Sequence, residues 1–218
     1  MVRWLLLVSI LSFECKAHFD VIDQFLKPNP VILEAGAHDG SDTLKMISFW
    51  PHATIYSIEP VPELFNKLVA KTNHIPNIHC YQCALSNKIG RAPFYVSSGT
   101  SDASSSLLIP KDHLQIHQTV YFNNCITVQT VTLDAWAYAH HIDHIDFMWL
   151  DMQGHEFEML KASTYILPTV KVIFIEASYQ ELYEGTALFP EVRQWLEQQG
   201  FVYICEFEEN ALFVRKSE

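Results

Sequence analysis

Glu34, Gly36 and Gly40 stand in the segment VILEAGAHDG (Val31 to Gly40), where an apolar run ends in an acid and then meets two glycines four residues apart. Glycine lets a chain turn tightly and lets its backbone approach a ligand without an intervening side chain, and a helix starting next offers unpaired amides. The combination suits a nucleotide-like ligand, although two glycines also serve many strand-to-helix turns that bind nothing. Two more acids end apolar runs, Glu59 after Thr54–Ile58 and Asp151 after Phe147–Leu150. A carboxylate at the second strand end can accept hydrogen bonds from both hydroxyls of a ribose. Open parallel sheets bind ligands beyond the carboxyl ends of their strands, where the strand order reverses, so these three acids would converge on one crevice. Each alone reads as a solvated loop residue or a helix cap. A nicotinamide site would carry G-x-G-x-x-G, whereas position 38 is His, and no Gly-Lys-Ser/Thr follows to make a P-loop.

The elements that must position these residues follow from the alternation of short apolar β-branched runs with amphipathic segments, the pattern of βαβ units around a mainly parallel sheet. Strand one is expected at Val31–Ala35, followed by a helix capped by Ser41 with Leu44 and Ile47 facing inward. Strand two is expected at Thr54–Glu59. The helix behind Pro60 and Pro62 repeats Leu64, Phe65, Leu68 and Val69 at helical spacing. Strand three reads as Ile78–Cys83, and a turn at Asn87–Gly90 leads to a strand at Pro93–Val96, a hairpin excursion from the sheet. A Ser-rich loop then spans Ser97 to Ser106. Later strands are expected at Ile126–Val131, Phe147–Asp151 and Val170–Ala177, with helices at Leu133–Ala139, after Gly154, and at Pro190–Gln199, stopped by Gly200. Strands at Phe201–Phe207 and Leu212–Arg215 form an antiparallel C-terminal hairpin at the sheet edge.

The strings VILEAGAHDGSDT, YSIEPVPELFNKL, HCYQCALSNKIGRAPFYV, VQTVTLDAW and FMWLDMQGHEFEMLKAS occur in an order and spacing that resemble the FkbM-type methyltransferases, over roughly residues 30–178. The resemblance implies an α/β, Rossmann-like class I methyltransferase fold, S-adenosyl-L-methionine as cofactor, and O-methylation as the usual activity. It implies that Glu34, Gly36 and Gly40 line the methionine side, that Glu59 holds the ribose, and that Ala84 and Leu85 lie near adenine. Many members read D-x-E-G-x-E where this chain has Asp151-Met152-Gln153-Gly154-His155-Glu156, so Gln153 lacks the charge found there.

A hydroxyl acceptor must lose a proton, and the candidates for that step are Asp151, His155 and Glu176, with Tyr179 as an acceptor contact. His155 reads equally as a surface residue on the first turn of its helix, and Asp151 as a cap for that helix. Glu176 ends strand five, where a carboxylate has little structural reason to be. His38 beside the glycines either bonds the methionine carboxylate or faces solvent. The loop with Gly99, Ser101, Asp102 and Ser104–Ser106 reads as a lid or as exposed chain. Cys80 and Cys83, three apart on a strand, point to opposite faces and cannot chelate. The histidines at 113, 117, 140, 141 and 144 lack partners at ligand spacing, so no metal is expected.

With 218 residues, 49% of them hydrophobic, the chain can bury one sizeable core, one domain over residues 18–218. Its formal charge of -11, from 14 basic and 25 acidic residues, argues against nucleic acid as a partner and leaves a small-molecule or glycan acceptor. Residues 1–17 place Arg3 before an apolar run, Trp4 to Phe13, that is too short to span a bilayer as an ordinary helix. They read as a secretory signal or as an apolar helix packed on the domain. Two functions follow: an O-methyltransferase acting on a small molecule or sugar, in the cytoplasm where its methyl donor is made, or an exported, non-catalytic module keeping the fold for binding.

Overall fold

The computed structural model describes residues 18–216, so the N-terminal segment 1–17 and its two readings lie outside the described residues. A short helix α1 (His18–Asp23) precedes strand β1 (Val31–Ala35). Within β1, Ile32 is buried on one face of the sheet and Leu33 and Ala35 on the other. Burial on both faces is why this strand reads as a continuous apolar run rather than an alternating one. Strand β2 (Thr54–Ile58) flanks it in parallel, and β3 (Ile78–Tyr81) pairs beyond β2.

Helix α2 (Ser41–Phe49) differs from expectation in its cap and its phase. Its N-cap is Gly40 at φ 83°, and the Ser41 hydroxyl donates to Asp39 instead of capping the turn. Thr43 and Met46 are its buried residues, while Leu44 and Ile47 are half-buried, a shift of one position. The phase is set by Thr43, whose hydroxyl donates to the buried Glu34 carboxylate and pins that face inward. Helix α3 (Pro62–Thr72) buries Leu64 and Leu68 as the spacing predicts.

The expected third strand splits. β2 ends at Ile58 opposite Tyr81, so the chain beyond Tyr81 has no partner in the main sheet, and β4 (Ala84–Leu85) joins a second one. There β5 (Gly90–Gly99) runs antiparallel to β6 (Val120–Val131), and β4 pairs in parallel with β6. Both long strands exceed the segments expected from apolar patterning because their outer halves are exposed and carry little apolar signal. The short helix α4 (His113–Ile116) lies in the connection between them, and α5 (Leu133–Ala139) follows β6, capped by the Thr132 side chain accepting from the Ala135 amide.

Strand β7 (Phe147–Leu150) returns beside β1, and beyond it lie helix α6 (Glu156–Lys161), strand β8 (Val172–Glu176) and helix α7 (Phe189–Gln198). The chain ends with β9 (Phe201–Phe207) and β10 (Asn210–Arg215), whose hairpin turns over Glu208 and Glu209. The return strand therefore starts two residues before Leu212. The seven-stranded sheet has the order β3-β2-β1-β7-β8-β10-β9, and β10 alone runs against its neighbours. The order reverses between β1 and β7. That switch point opens a crevice at the carboxyl ends of the strands, where Glu34, Glu59 and Asp151 were expected to meet. Among the described residues no helix is long and apolar enough to cross a membrane.

Candidate active site

A cavity opens at the switch point. Of the residues singled out from the sequence, Gly36, His38, Glu59, Ala84, Leu85, Asp151 and His155 line it. Glu34, Gly40 and Glu176 do not.

Gly36 explains how the wall is built. It sits at φ 89°, and a Cβ there would lie 1.8 Å from the carbonyl oxygen of Asp151, so the turns after β1 and β7 can touch only through glycine. The Gly36 and Ala37 amides both donate to the Ile58 carbonyl, and the Asp151 amide donates to Ala35, tying three strand ends together. Gly40 serves packing instead, since a Cβ there would lie 2.8 Å from Leu68 of α3. Glu34 stands behind the wall, 1% exposed, accepting from Thr43 and Ser57. Burial raises its carboxyl to about 8.

Glu59 faces the cavity. One carboxylate oxygen accepts from the Val61 amide at 2.8 Å and the other from the His38 amide at 2.9 Å. Burial pushes its carboxyl up to about 7 against these bonds. Each oxygen has a second lone pair, so two further donors can be received. Ile58, Leu64, Leu85 and Phe94 give the cavity apolar walls. The His38 ring is held by Asp102 of the Ser-rich loop, Nε2 to Oδ1 at 2.9 Å, across the cavity mouth.

Two groups lie at the far side. His155 is 8% exposed, contrary to its reading as a surface residue, and its Nε2 lies 3.0 Å from the Ser86 hydroxyl oxygen while its Nδ1 is buried without a partner. Burial lowers its pKa, which keeps the imidazole neutral. Asp151 instead joins a polar cluster around Gln153. The Gln153 amide donates to Asp151 at 2.7 Å and to Glu176 at 3.3 Å, and Tyr183 shares its hydroxyl proton between Gln153 Oε1 and the Ser104 carbonyl. Glu176 borders a neighbouring smaller cavity with Glu156 and Thr186. Burial raises both Asp151 and Glu176, and Glu176 is lifted further by the charges of Glu156 and Asp151. Tyr179 bonds Glu206 and lies in neither cavity lining.

The sequence marks Gln153 as a missing charge, yet neutrality lets its amide donate to two acids at once. Glu156, which accepts from the Met152 amide, and Tyr183 carried no separable signal. Cys83 is buried in the cavity wall, one residue short of β4, and Cys80 packs on the opposite face of the sheet. Among the described residues no group of three or more His, Cys, Asp or Glu is arranged to hold a metal.

Apolar walls, a carboxylate with two free acceptor positions and a buried unpartnered ring nitrogen in one cavity fit a nucleoside cofactor. With the strand order observed, fold and site define a class I methyltransferase. The Methyltransferase FkbM domain family matches residues 34–203. The 2-O-methyltransferase NoeI of Sinorhizobium fredii is 34% identical over 175 residues, 78% of this chain and 72% of NoeI. Methyltransferase sdnD of Sordaria araneosa is 23% identical, covering 81% of this chain and 75% of its own. Among solved structures, monomeric WbdD shares the fold, with a TM-score of 0.52, 14% identity, and coverage of 96% of this chain and 48% of that one. The chain belongs to the FkbM methyltransferase family. It is an S-adenosyl-L-methionine-dependent O-methyltransferase.

Proposed function

We propose that the methylated hydroxyl belongs to a sugar or a small uncharged molecule and that Asp151 takes its proton. The observation that carries this is the cluster of Asp151 and Glu176 bridged by the Gln153 amide at the ends of β7 and β8. Among the described residues no Lys or Arg lines either cavity and Lys67 reaches only to Asp102 at 3.9 Å, so an acceptor bearing phosphate or carboxylate would meet mainly acids. The name of the relative NoeI, a 2-O-methyltransferase, supports a hydroxyl acceptor.

Glu59 would hold the ribose hydroxyls, the walls of Ile58, Leu64, Leu85 and Phe94 the base, and the turn at Gly36 and His38 the methionine end. When bound, S-adenosyl-L-methionine supplies a methyl group on a sulfonium, open to in-line displacement. Asp151 receives the hydroxyl proton as the acceptor oxygen becomes a nucleophile. Like charges this close cannot all ionise, and a carboxyl raised toward neutrality is a better base than a free one. Gln153, donating to Asp151 and held by Tyr183, fixes the orientation of that carboxylate.

Calorimetry with S-adenosylhomocysteine on wild type and Glu59→Ala tests the cofactor half, with binding expected for the first and a large loss for the second. For the acceptor half, Asp151→Asn is expected to lower kcat by about 10²–10⁴-fold with product-cofactor affinity nearly unchanged. Turnover retained in that variant would remove Asp151 from the proton step. A preference for phosphorylated over neutral sugars would overturn the acceptor class.

A further inference from the structure

Among the described residues that line the larger cavity, one side chain holds a buried polar atom with no partner: His155, through Nδ1. An orphan buried donor or acceptor is expensive, and native structures rarely keep one unless something else completes it. His155 sits at the entry to α6 and its ring reaches the strand end at Ala84 and Leu85, where Ser86 fixes its other nitrogen. The Ser86 amide is already used, donating to the Val131 carbonyl, and its hydroxyl has His155 as its one partner among the described residues.

That contact admits two tautomers, each of which leaves one buried donor unused. If Nε2 carried the hydrogen and donated to Ser86, the Ser86 hydroxyl proton would be left buried with nowhere to go. If Ser86 donates to Nε2, the unused donor is Nδ1–H instead, and that is the one an acceptor on a ligand in the cavity can complete. Nε2 then accepts and Nδ1 carries the hydrogen. Leu85 and Phe94 line the same cavity with apolar surface, which suits a flat ring that presents an acceptor at its edge.

We infer that Ser86 and His155 form a reading pair for the cofactor's base, in which the Ser86 hydroxyl donates to His155 Nε2 and His155 Nδ1–H donates to a ring nitrogen of the purine. The inference rests on the cavity being the cofactor site. It makes His155 a binding residue, where the sequence suggested a base.

The test is calorimetry of S-adenosylhomocysteine and its 1-deaza, 3-deaza and 7-deaza analogues, in which one ring nitrogen becomes CH, against wild type, His155→Leu, His155→Asn and Ser86→Ala. Wild type is expected to bind the parent compound and to lose about tenfold in affinity for one of the three analogues. His155→Leu should bind the parent about tenfold more weakly and no longer distinguish that analogue. His155→Asn, whose amide N–H stands near the place of Nδ1, should recover most of the affinity, and Ser86→Ala should lose less than His155→Leu. Nitrogen-15 spectra of the histidines should show His155 protonated at Nδ1 in wild type. Unchanged affinity in His155→Leu overturns the pair, as does equal binding of all three analogues by wild type, a readout that needs no variant to fold. Absence of parent binding by wild type removes the cofactor reading and the inference with it.

Discussion

Glu34 shows how an acid in the most diagnostic segment can act by stabilising the protonated form rather than by touching a ligand. It is shut behind the cavity wall, and two hydroxyls donate to one of its oxygens. Burial wins over those bonds, and the carboxyl moves from 4.5 to about 8. Between those values the folded chain holds a proton that the unfolded chain has released, so stability falls as pH rises through this window. The slope from one such group approaches about 1.4 kcal/mol per pH unit. Glu59 and Glu156, each raised to about 7, add to it in the same direction. Urea unfolding of Glu34→Gln at pH 5, 6, 7 and 8 should give a flatter decline than wild type. An unchanged slope would mean that Glu34 is ionised in the native fold.

At the scale of elements, the chain after β5 closes over the site through serine contacts. Ser97 accepts from the Ser104 amide, and Ser106 accepts from Leu108 and donates to the Gln153 carbonyl. Tyr183 reaches the same two segments from the connection after β8. Gln153 at φ 53° and Gly154 at φ 94° hold a backbone that is strained for an ordinary residue, so these ties keep it in place. Removing one hydroxyl in Tyr183→Phe should destabilise the fold by about 1 kcal/mol and loosen residues 100–106. Faster limited proteolysis in that loop, and a KM for the donor raised more than kcat is lowered, are the expected readings. Proteolysis at the wild-type rate would show that the serine contacts suffice alone.

The elements that were legible in the sequence are those buried on both faces or capped by side-chain chemistry. β1 and β7 have Ile32, Leu33, Phe147 and Met148 fully buried, and α5 starts at the Thr132 cap. The second sheet was harder to read because β5 and β6 carry exposed residues along much of their length, so apolar patterning marks only their inner ends. The split between β3 and β4 is set by where β2 stops, a tertiary fact with no local signature. The site divides the same way. Strand-end acids announced themselves by position, whereas Tyr183 and Ser86 act through partners 30 to 79 residues away in the chain, and Gln153 through Asp151 and Glu176 at 2 and 23 residues.

Across the whole molecule, the cavity draws its walls from both halves of the sheet. Gly36 and Glu59 follow β1 and β2 of the N-terminal half, Leu85 lies in β4 of the second sheet, and Asp151 and His155 follow β7 on the other side of the switch point. The halves share one continuous core, since Leu33, Met148, Ile173 and Phe213 pack in a single cluster. A ligand in this crevice therefore binds the folded chain as a unit and has nothing to hold in a half-unfolded one. Its stabilisation should appear in one cooperative transition, amounting to about 2.7 kcal/mol at a ligand concentration of one hundred times Kd. For a chain of this size that is a rise in Tm of roughly 5–11 °C. Calorimetric melting with and without S-adenosylhomocysteine should show the whole transition moving upward in wild type and staying in place in Glu59→Ala. A shift confined to part of the transition would mean that the two sides of the switch point unfold separately and that one side alone carries the binding.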